Sequence, residues 1–373
     1  MSSYLNKNNS TLKLNYLCPY FTMFPLEFPF QILSNTSQRG WVLDPFCGRG
    51  TTIYAARLHG LPAIGIDSNL VACAISQAKL AHANANDVIT MCENILHSEE
   101  LHPKIPDSEF WRLSFHPKTL HNICILREHF LTHDQFTDSE LILRALLLGI
   151  LHGPRNKYAA PTYLSNQMPR TYATKPGAAV TYWEKHNLQP AKIDLLDCVR
   201  RRAQYILSSL PPKTSGFVVH ADSRKLSLPQ NNIKFSTIIT SPPYYGMRTY
   251  LPDQWLRNWF IGGPPSVDYD TSGQLSNGNE ESFVESLSTV WNRISEFAMP
   301  KARLVIRFGA LPSTDIDPLT LLKKSFERSA SPWKILTVKD AGTAYKGKRQ
   351  ADQFNRKTGV AIREVDLYAR MEC

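Results

Sequence analysis

A short apolar run, Trp41-Val42-Leu43, ends in Asp44-Pro45 and passes directly into Phe46-Cys47-Gly48-Arg49-Gly50-Thr51. The following residues, Thr52 to His59, have helical character and stop at Gly60. A strand that turns on glycines into a helix opens a parallel α/β sheet, because a parallel neighbour is reached only by a crossover. The next apolar run, Pro62 to Asp67, supplies that neighbour, and a second helix follows with Ser68 expected as its N-cap. Few other folds begin this way.

The pattern then stops for more than a hundred residues. It resumes with strand-like runs at 216–222 and 235–246, a helix at 281–298, a strand at 303–309 and a helix at 318–329. Strand-like runs at 333–340 and 361–371 finish the chain. In between, helical periodicity is visible near 118–130, 140–151 and 191–210, around an irregular loop rich in Pro, Tyr and Asn at 153–181. A loop of that length is uncommon unless it is functional or part of a subdomain. At 373 residues the chain is long enough for both parts. The expected architecture is an α/β, Rossmann-like domain of residues 1–84 and 212–373, interrupted by a mostly helical insertion at 85–211.

Charge divides that insertion. Residues 85–140 carry 4 basic and 10 acidic side chains, and residues 141–215 carry 11 basic and 3 acidic. A solvated surface mixes signs more evenly, so the second half suits a polyanion, with a merely soluble basic face as the alternative. Seven cysteines, at 18, 47, 73, 92, 124, 198 and 373, contain no CxxC pair. That argues against a disulfide framework and a zinc site, and for a reducing, cytoplasmic compartment. The polar N-terminus lacks the regions of a signal peptide, and no apolar run approaches the ~20 residues of a membrane span.

Gly48 and Gly50 lie between strand and helix, where glycine lets the backbone approach a ligand and the helix start offers unpaired N–H groups. Two glycines suit any tight turn, so the surroundings decide. Asp67 ends the next strand 17 residues after Gly50, where a carboxylate takes the hydroxyls of a ribose. Asp44 at the first strand end is wrong for a pyrophosphate and right for a ligand carrying an ammonium or sulfonium. The combination points to S-adenosylmethionine over NAD or ATP.

The second motif is Ser241-Pro242-Pro243-Tyr244, after the apolar strand 236–240. Two prolines stiffen the chain in an extended form. They would fix the Pro242 carbonyl and the Ser241 side chain at the mouth of the sheet, and Tyr244 offers a flat ring to stack on a base. The exocyclic amine of cytosine or adenine is a poor nucleophile because its lone pair is delocalised. Accepting hydrogen bonds from both N–H groups favours a tetrahedral nitrogen and frees that lone pair. An ordinary turn is the other reading of the segment alone.

Together the two segments resemble the S-adenosylmethionine-dependent amino-methyltransferases of DNA, marked by a DPFxGxGT turn and a [DNS]PPY tetrad. The resemblance covers about 1–84 and 216–373 and implies a methyltransferase sheet. It implies catalytic roles for Ser241, Pro242, Pro243 and Tyr244. For the cofactor it implies Phe24 and Pro25 in a covering segment (21–33), the turn residues Asp44, Pro45, Phe46, Gly48, Gly50 and Thr51, and Asp67 with Ser68 at the ribose. Asp222, ending 218–222, would meet the adenine amine of the cofactor. Two features depart from the family: many members with this tetrad place it before the glycine motif, and the insertion falls between the second and third strands.

Serine in the tetrad leans, within that family, towards N4 of cytosine, with N6 of adenine as the alternative. Either base must flip out of duplex DNA. In the basic half of the insertion, Arg155, Lys157, Lys175 and Arg200–Arg202 are phosphate candidates, while Asn166 and Arg170 have the geometry to read base edges. The basic loop at 345–357 is a second candidate. A cognate restriction endonuclease is a partner the resemblance implies. No metal is expected: His121 and Cys124 lack a second ligand pair. The rivals are a tRNA guanine-N2 methyltransferase, disfavoured by Ser241, and a non-catalytic nucleic-acid-binding relative.

Overall fold

The computed structural model describes residues 9–20, 24–36, 38–154, 160–168, 175–228, 232–246, 254–269, 273–276, 278–311, 314, 316–343 and 363–372. Seven strands form one sheet: β1 (Trp41–Asp44), β2 (Ala63–Asp67), β3 (Gly216–His220), β4 (Phe235–Thr240), β5 (Ala298–Gly309), β6 (Trp333–Thr343) and β7 (Arg363–Met371). Their order is β3-β2-β1-β4-β5-β7-β6. The first five run parallel, while β7 is antiparallel to both β5 and β6. This is the Rossmann-like α/β sheet that the glycine turn implied. All six residues of β4 are buried, as a central parallel strand covered on both faces requires.

The helices in chain order are α1 (Glu27–Ser34), α2 (Thr51–Leu58), α3 (Leu70–Ala78), α4 (Ala85–Leu96), α5 (Glu109–Ser114), α6 (Pro117–Thr132), α7 (Asp138–Ile150), α8 (Pro176–Lys185), α9 (Leu195–Ile206), α10 (Trp255–Phe260), α11 (Glu280–Ser295) and α12 (Pro318–Arg328). None among the described residues is long and apolar enough to cross a membrane.

The chain divides into two compact units. The sheet unit comprises Tyr20–Leu80, Pro212–Arg248 and Thr271–Cys373. Part of its core packs Leu43, Ile64, Ile238, Phe283, Trp291, Leu304 and Leu367 from sheet and helices. Strand connectivity reverses between β1 and β4: β1 leads to β2 on one side, and β4 to β5 on the other. In open α/β sheets a ligand sits at the carboxyl ends of the strands flanking such a switch.

The helical unit draws on Met1–Pro19, Ala81–Pro211 and Thr249–Asp270, two segments more than the expected 85–211. Those segments are held by backbone contacts that no periodicity reveals. Arg202 donates from Nη2 to Tyr16 O at 2.5 Å, and Arg257 donates from Nε to Leu148 O and from Nη1 to Pro19 O. Trp255 and Trp259 of α10 complete an aromatic core with Phe110 and Trp111, at centroid distances of 4.9 Å for Phe110–Trp255 and 4.4 Å for Trp111–Trp259.

Several local expectations are corrected. The cap of α3 is Asn69, whose side chain accepts from Val71 N, rather than Ser68. The loop expected at 153–181 contains the start of α8, opened by Pro176 at its first turn. Strand β5 begins at Ala298, ahead of the expected 303, because Ala298 already pairs with Phe235 and a register shift near Lys301 (φ 63°) resumes the pairing.

Candidate active site

Asp44 closes β1 and is 1% exposed. Its Oδ1 accepts from Phe46 N at 3.1 Å and from Thr240 Oγ1 at 2.8 Å. Thr240 is the last residue of β4 and immediately precedes Ser241. Burial pushes the Asp44 carboxyl up from 3.8 to about 6, against the pull of Thr52, Thr240 and the Phe46 N–H, with the Asp67 charge adding to the rise.

The glycines of the turn do different work. Both are left-handed, Gly48 at φ +50° and Gly50 at φ +74°, a conformation that side chains resist. A Cβ on Gly50 would stand 2.7 Å from Ser76 Oγ, so this residue lets α3 close against the turn. Among the described residues a Cβ on Gly48 would meet Tyr20 in ordinary contact at 3.9 Å, so close packing does not demand glycine here as it does at Gly50. Pro45 is buried, and its carbonyl accepts from Ser223 Oγ; Phe46 is half-buried, and Thr51 is the buried first residue of α2.

Asp67 at the end of β2 reaches back to this turn. Its Oδ2 accepts from Gly48 N and its Oδ1 from Asn69 N, both at 2.9 Å. An ionised carboxylate has about four acceptor sites, so each oxygen keeps capacity for a further donor. Burial also pushes Asp67 up to about 6, opposed by these backbone donors and by the nearby His220. Ser68 is half-buried, with its carbonyl 3.0 Å from His220 Nε2. Phe24 is buried and edge-on to Phe28 at 5.2 Å, whereas Pro25 is exposed.

Asp222 differs from the other two acids. Its carboxylate is gripped by the Arg224 guanidinium, with Nη2 to Oδ2 at 2.7 Å and Nε to Oδ1 at 2.9 Å, and by Arg224 N at 2.9 Å. Burial works against the charge, but the Arg224 bonds hold Asp222 below its ordinary value. Arg224 carried no signal in the sequence beyond standing two residues away.

Beyond β4 the chain carries Ser241 and Pro243 half-buried and Pro242 buried. Tyr245 then pairs with Ala310 next to β5, and Leu311 N donates to Tyr245 O. Tyr244 meets Phe308 edge-on at 5.9 Å and donates its hydroxyl to Glu364 Oε1 at 2.5 Å. Thr240 and Glu364 therefore join the candidate site as two residues that sequence reasoning missed. Adjacency to the tetrad could have flagged Thr240; Glu364, 120 residues from Tyr244, gave no local signal.

Of the five candidates in the helical unit that lie among the described residues, three are engaged within it. Arg201 pairs with Asp197 at 2.9 Å and donates to Pro161 O, and Arg202 holds Tyr16 O. Asn166 uses both amide protons on Leu113 O and Leu188 O, which leaves only its oxygen for a base edge. Arg200 and Lys175 are exposed. Arg155, Lys157, Arg170 and the loop 345–357 lie outside the described residues.

The site suits a cationic nucleoside. Two acids, Asp44 and Asp67, stand at adjacent strand ends, and among the described residues their hydrogen bonds come from N–H and hydroxyl groups, with no Lys or Arg donating to either. A sulfonium and an ammonium are groups that would offset such charge.

No curated protein sequence matches the chain. Among solved structures, the rRNA methyltransferase aviRa from Streptomyces viridochromogenes is 11% identical, covering 95% of this chain and 87% of its own, at a TM-score of 0.35. An S-adenosylmethionine-dependent methyltransferase from Methanosarcina mazei is 10% identical, covering 94% and 99%, at 0.33. Likeness that slight adds nothing to what the strand order already establishes. Residues 2–78 match the DNA methylase family, the stretch containing α1, the glycine turn and Asp67. Over those residues the chain is similar to the DNA methylase family.

Proposed function

We propose that this methyltransferase modifies the exocyclic N4 of cytosine at specific sites in duplex DNA. The observation that carries the reading is the Thr240–Asp44 hydrogen bond, 2.8 Å. It ties the strand end bearing the cofactor acid to the strand end bearing Ser241-Pro242-Pro243-Tyr244, across the switch point of the sheet.

S-adenosylmethionine supplies an electrophilic methyl group on a sulfonium. Asp44, Asp67 and the turn at Gly48 would hold it, Phe24 and Pro25 would cover it, and Asp222, steadied by Arg224, would take the adenine amine. The protein's part in the transfer is positional and electrostatic. Pro242 O and Ser241 Oγ would accept hydrogen bonds from the two amine N–H groups, turning the nitrogen lone pair out of the ring. The nitrogen so exposed would face the methyl group, and the same two acceptors would pass the released proton on to solvent.

Ser241 favours cytosine over adenine because a neutral hydroxyl accepts from the more acidic amine without adding charge. Arg200 and Lys175 are exposed cations available to phosphates, and the basic stretches outside the described residues would add to them. A site-specific enzyme of this kind suits pairing with a restriction endonuclease, and the six cysteines among the described residues, all buried and free, fit a cytoplasmic setting.

The test is Ser241→Ala. Single-turnover methylation should fall about 10²-fold, in line with loss of one preorganised hydrogen bond to the reacting group. Cofactor affinity should stay within about twofold, since Ser241 lies outside the cofactor acids. Equal loss of both would make the tetrad structural.

A further inference from the structure

Glu364 is 4% exposed, yet it is a carboxylate at the second position of β7. Its register partner in β5 is Gly309, next to the residue that pairs with Tyr245 just beyond the tetrad. A buried carboxylate is costly unless hydrogen-bonded. Here its Oε1 receives the Tyr244 hydroxyl at 2.5 Å, the short distance of a charge-assisted O–H···O bond.

An ion pair lies nearby on the same two strands. Asp366, two residues along the same strand, takes Arg307 Nε and Nη2 at 2.7 Å each. Burial opposes the Arg307 charge, but the Asp366 bonds, with Glu364 and Tyr244 nearby, hold its pKa above the ordinary value. The Arg307 guanidinium lies 3.9 Å over the Phe28 ring, and Phe28 packs edge-on to Phe24. Tyr244 is also braced by Phe308. Its ring is thus fixed at the hydroxyl and along one edge.

We propose that Glu364 is a positioning residue for the tetrad: by accepting the Tyr244 hydroxyl it sets the angle at which that ring meets a flipped base. The proposal rests on reading Ser241–Tyr244 as the base-binding segment. In this reading Glu364 acts through Tyr244 rather than on the base itself. With the bond intact the ring is a rigid wall against which a base can stack. Without it the ring turns about its side-chain torsions and the base loses a prepared surface, so the effect belongs to DNA rather than to the cofactor.

The experiment uses the full chain, unmethylated double-stranded DNA made by polymerase chain reaction, and cofactor labelled in its methyl group. The variants are Glu364→Ala, Glu364→Gln, Tyr244→Phe and the Tyr244→Phe/Glu364→Ala double. Glu364→Ala and Tyr244→Phe should each lower kcat/KM for DNA about tenfold, the scale of a hydrogen bond to a charged group. The KM for cofactor should stay within about twofold. The double variant should be no worse than the poorer single one, because both remove the same bond. Glu364→Gln keeps an acceptor in the same shape and should recover to within about threefold of wild type; being isosteric, it carries the test if the alanine variant does not fold. Losses that multiply in the double variant, a Gln variant as poor as Ala, or a cofactor KM that moves with that for DNA would each overturn the proposal. Ser241→Ala run alongside separates the two levels: full methylation there sinks the tetrad itself, whereas its loss with an additive cycle sinks only Glu364.

Discussion

Asp44 and Arg202 are both charged groups that the sequence marks for a ligand, and the fold treats them in opposite ways. In the sheet unit Asp44 is buried against hydroxyl and N–H donors, half-buried Asp67 beside it takes two backbone N–H groups, and among the described residues no Lys or Arg is bonded to either. In the helical unit Arg202 is spent on the Tyr16 carbonyl and Arg201 on Asp197. A motif with fixed spacing points to groups left charged and waiting. A run of like charge does not, because its members are free to satisfy one another or the backbone.

The strongest way to break that contrast is at Asp67. Asp67→Ala should weaken S-adenosylmethionine binding by about 1.5–3 kcal/mol, roughly 10- to 150-fold, through loss of a charged acceptor and the exposure of two backbone donors. Calorimetry with the cofactor measures it. An unchanged affinity would make Asp67 a cap for the Gly48 turn and nothing more.

A titration gives the next effect. Asp44 and Asp67 sit near 6 in the free protein, and a cationic ligand favours their ionised forms, pulling both down. Protons bound below pH 6 must then be expelled on binding, so affinity should be level above about pH 7 and fall as pH drops through 6. At pH 5 the loss is about tenfold for each acid that must ionise. Asp44→Asn should flatten that curve; a profile as steep as wild type would place the titration elsewhere.

The smallest effects belong to the helical unit. Arg200→Ala should lower the salt slope of DNA binding by about one, the signature of one lost phosphate contact. Arg201→Ala and Arg202→Ala should leave the slope unchanged and lower thermal stability slightly, since their partners lie within the unit. Equal slopes for all three would erase the distinction between exposed and engaged arginines.

How much of this was legible in the sequence follows the same division. Strands β1, β2 and β4, the left-handed glycines and the tetrad were visible because each is encoded within a dozen neighbouring residues. The β5-β7-β6 order was not, since it depends on pairings between distant strands. Asn69 took the cap from Ser68 because its oxygen reaches Val71 N. The start of α8 was hidden in a stretch rich in Pro and Tyr. Thr240 and Glu364 are single residues whose meaning lies in what they touch across the fold, and Asn166 was read as a base reader because its two internal carbonyl partners are invisible in one dimension.

The central claim is that this site methylates N4 of cytosine in DNA. The most direct measurement incubates the protein with labelled S-adenosylmethionine and either unmethylated duplex DNA or total RNA, then identifies the labelled nucleoside by mass spectrometry. Label in N4-methylcytosine from DNA, lost in Ser241→Ala, is the expected result. N6-methyladenine would keep the tetrad chemistry and reverse the choice of base. Label confined to RNA would contradict the account.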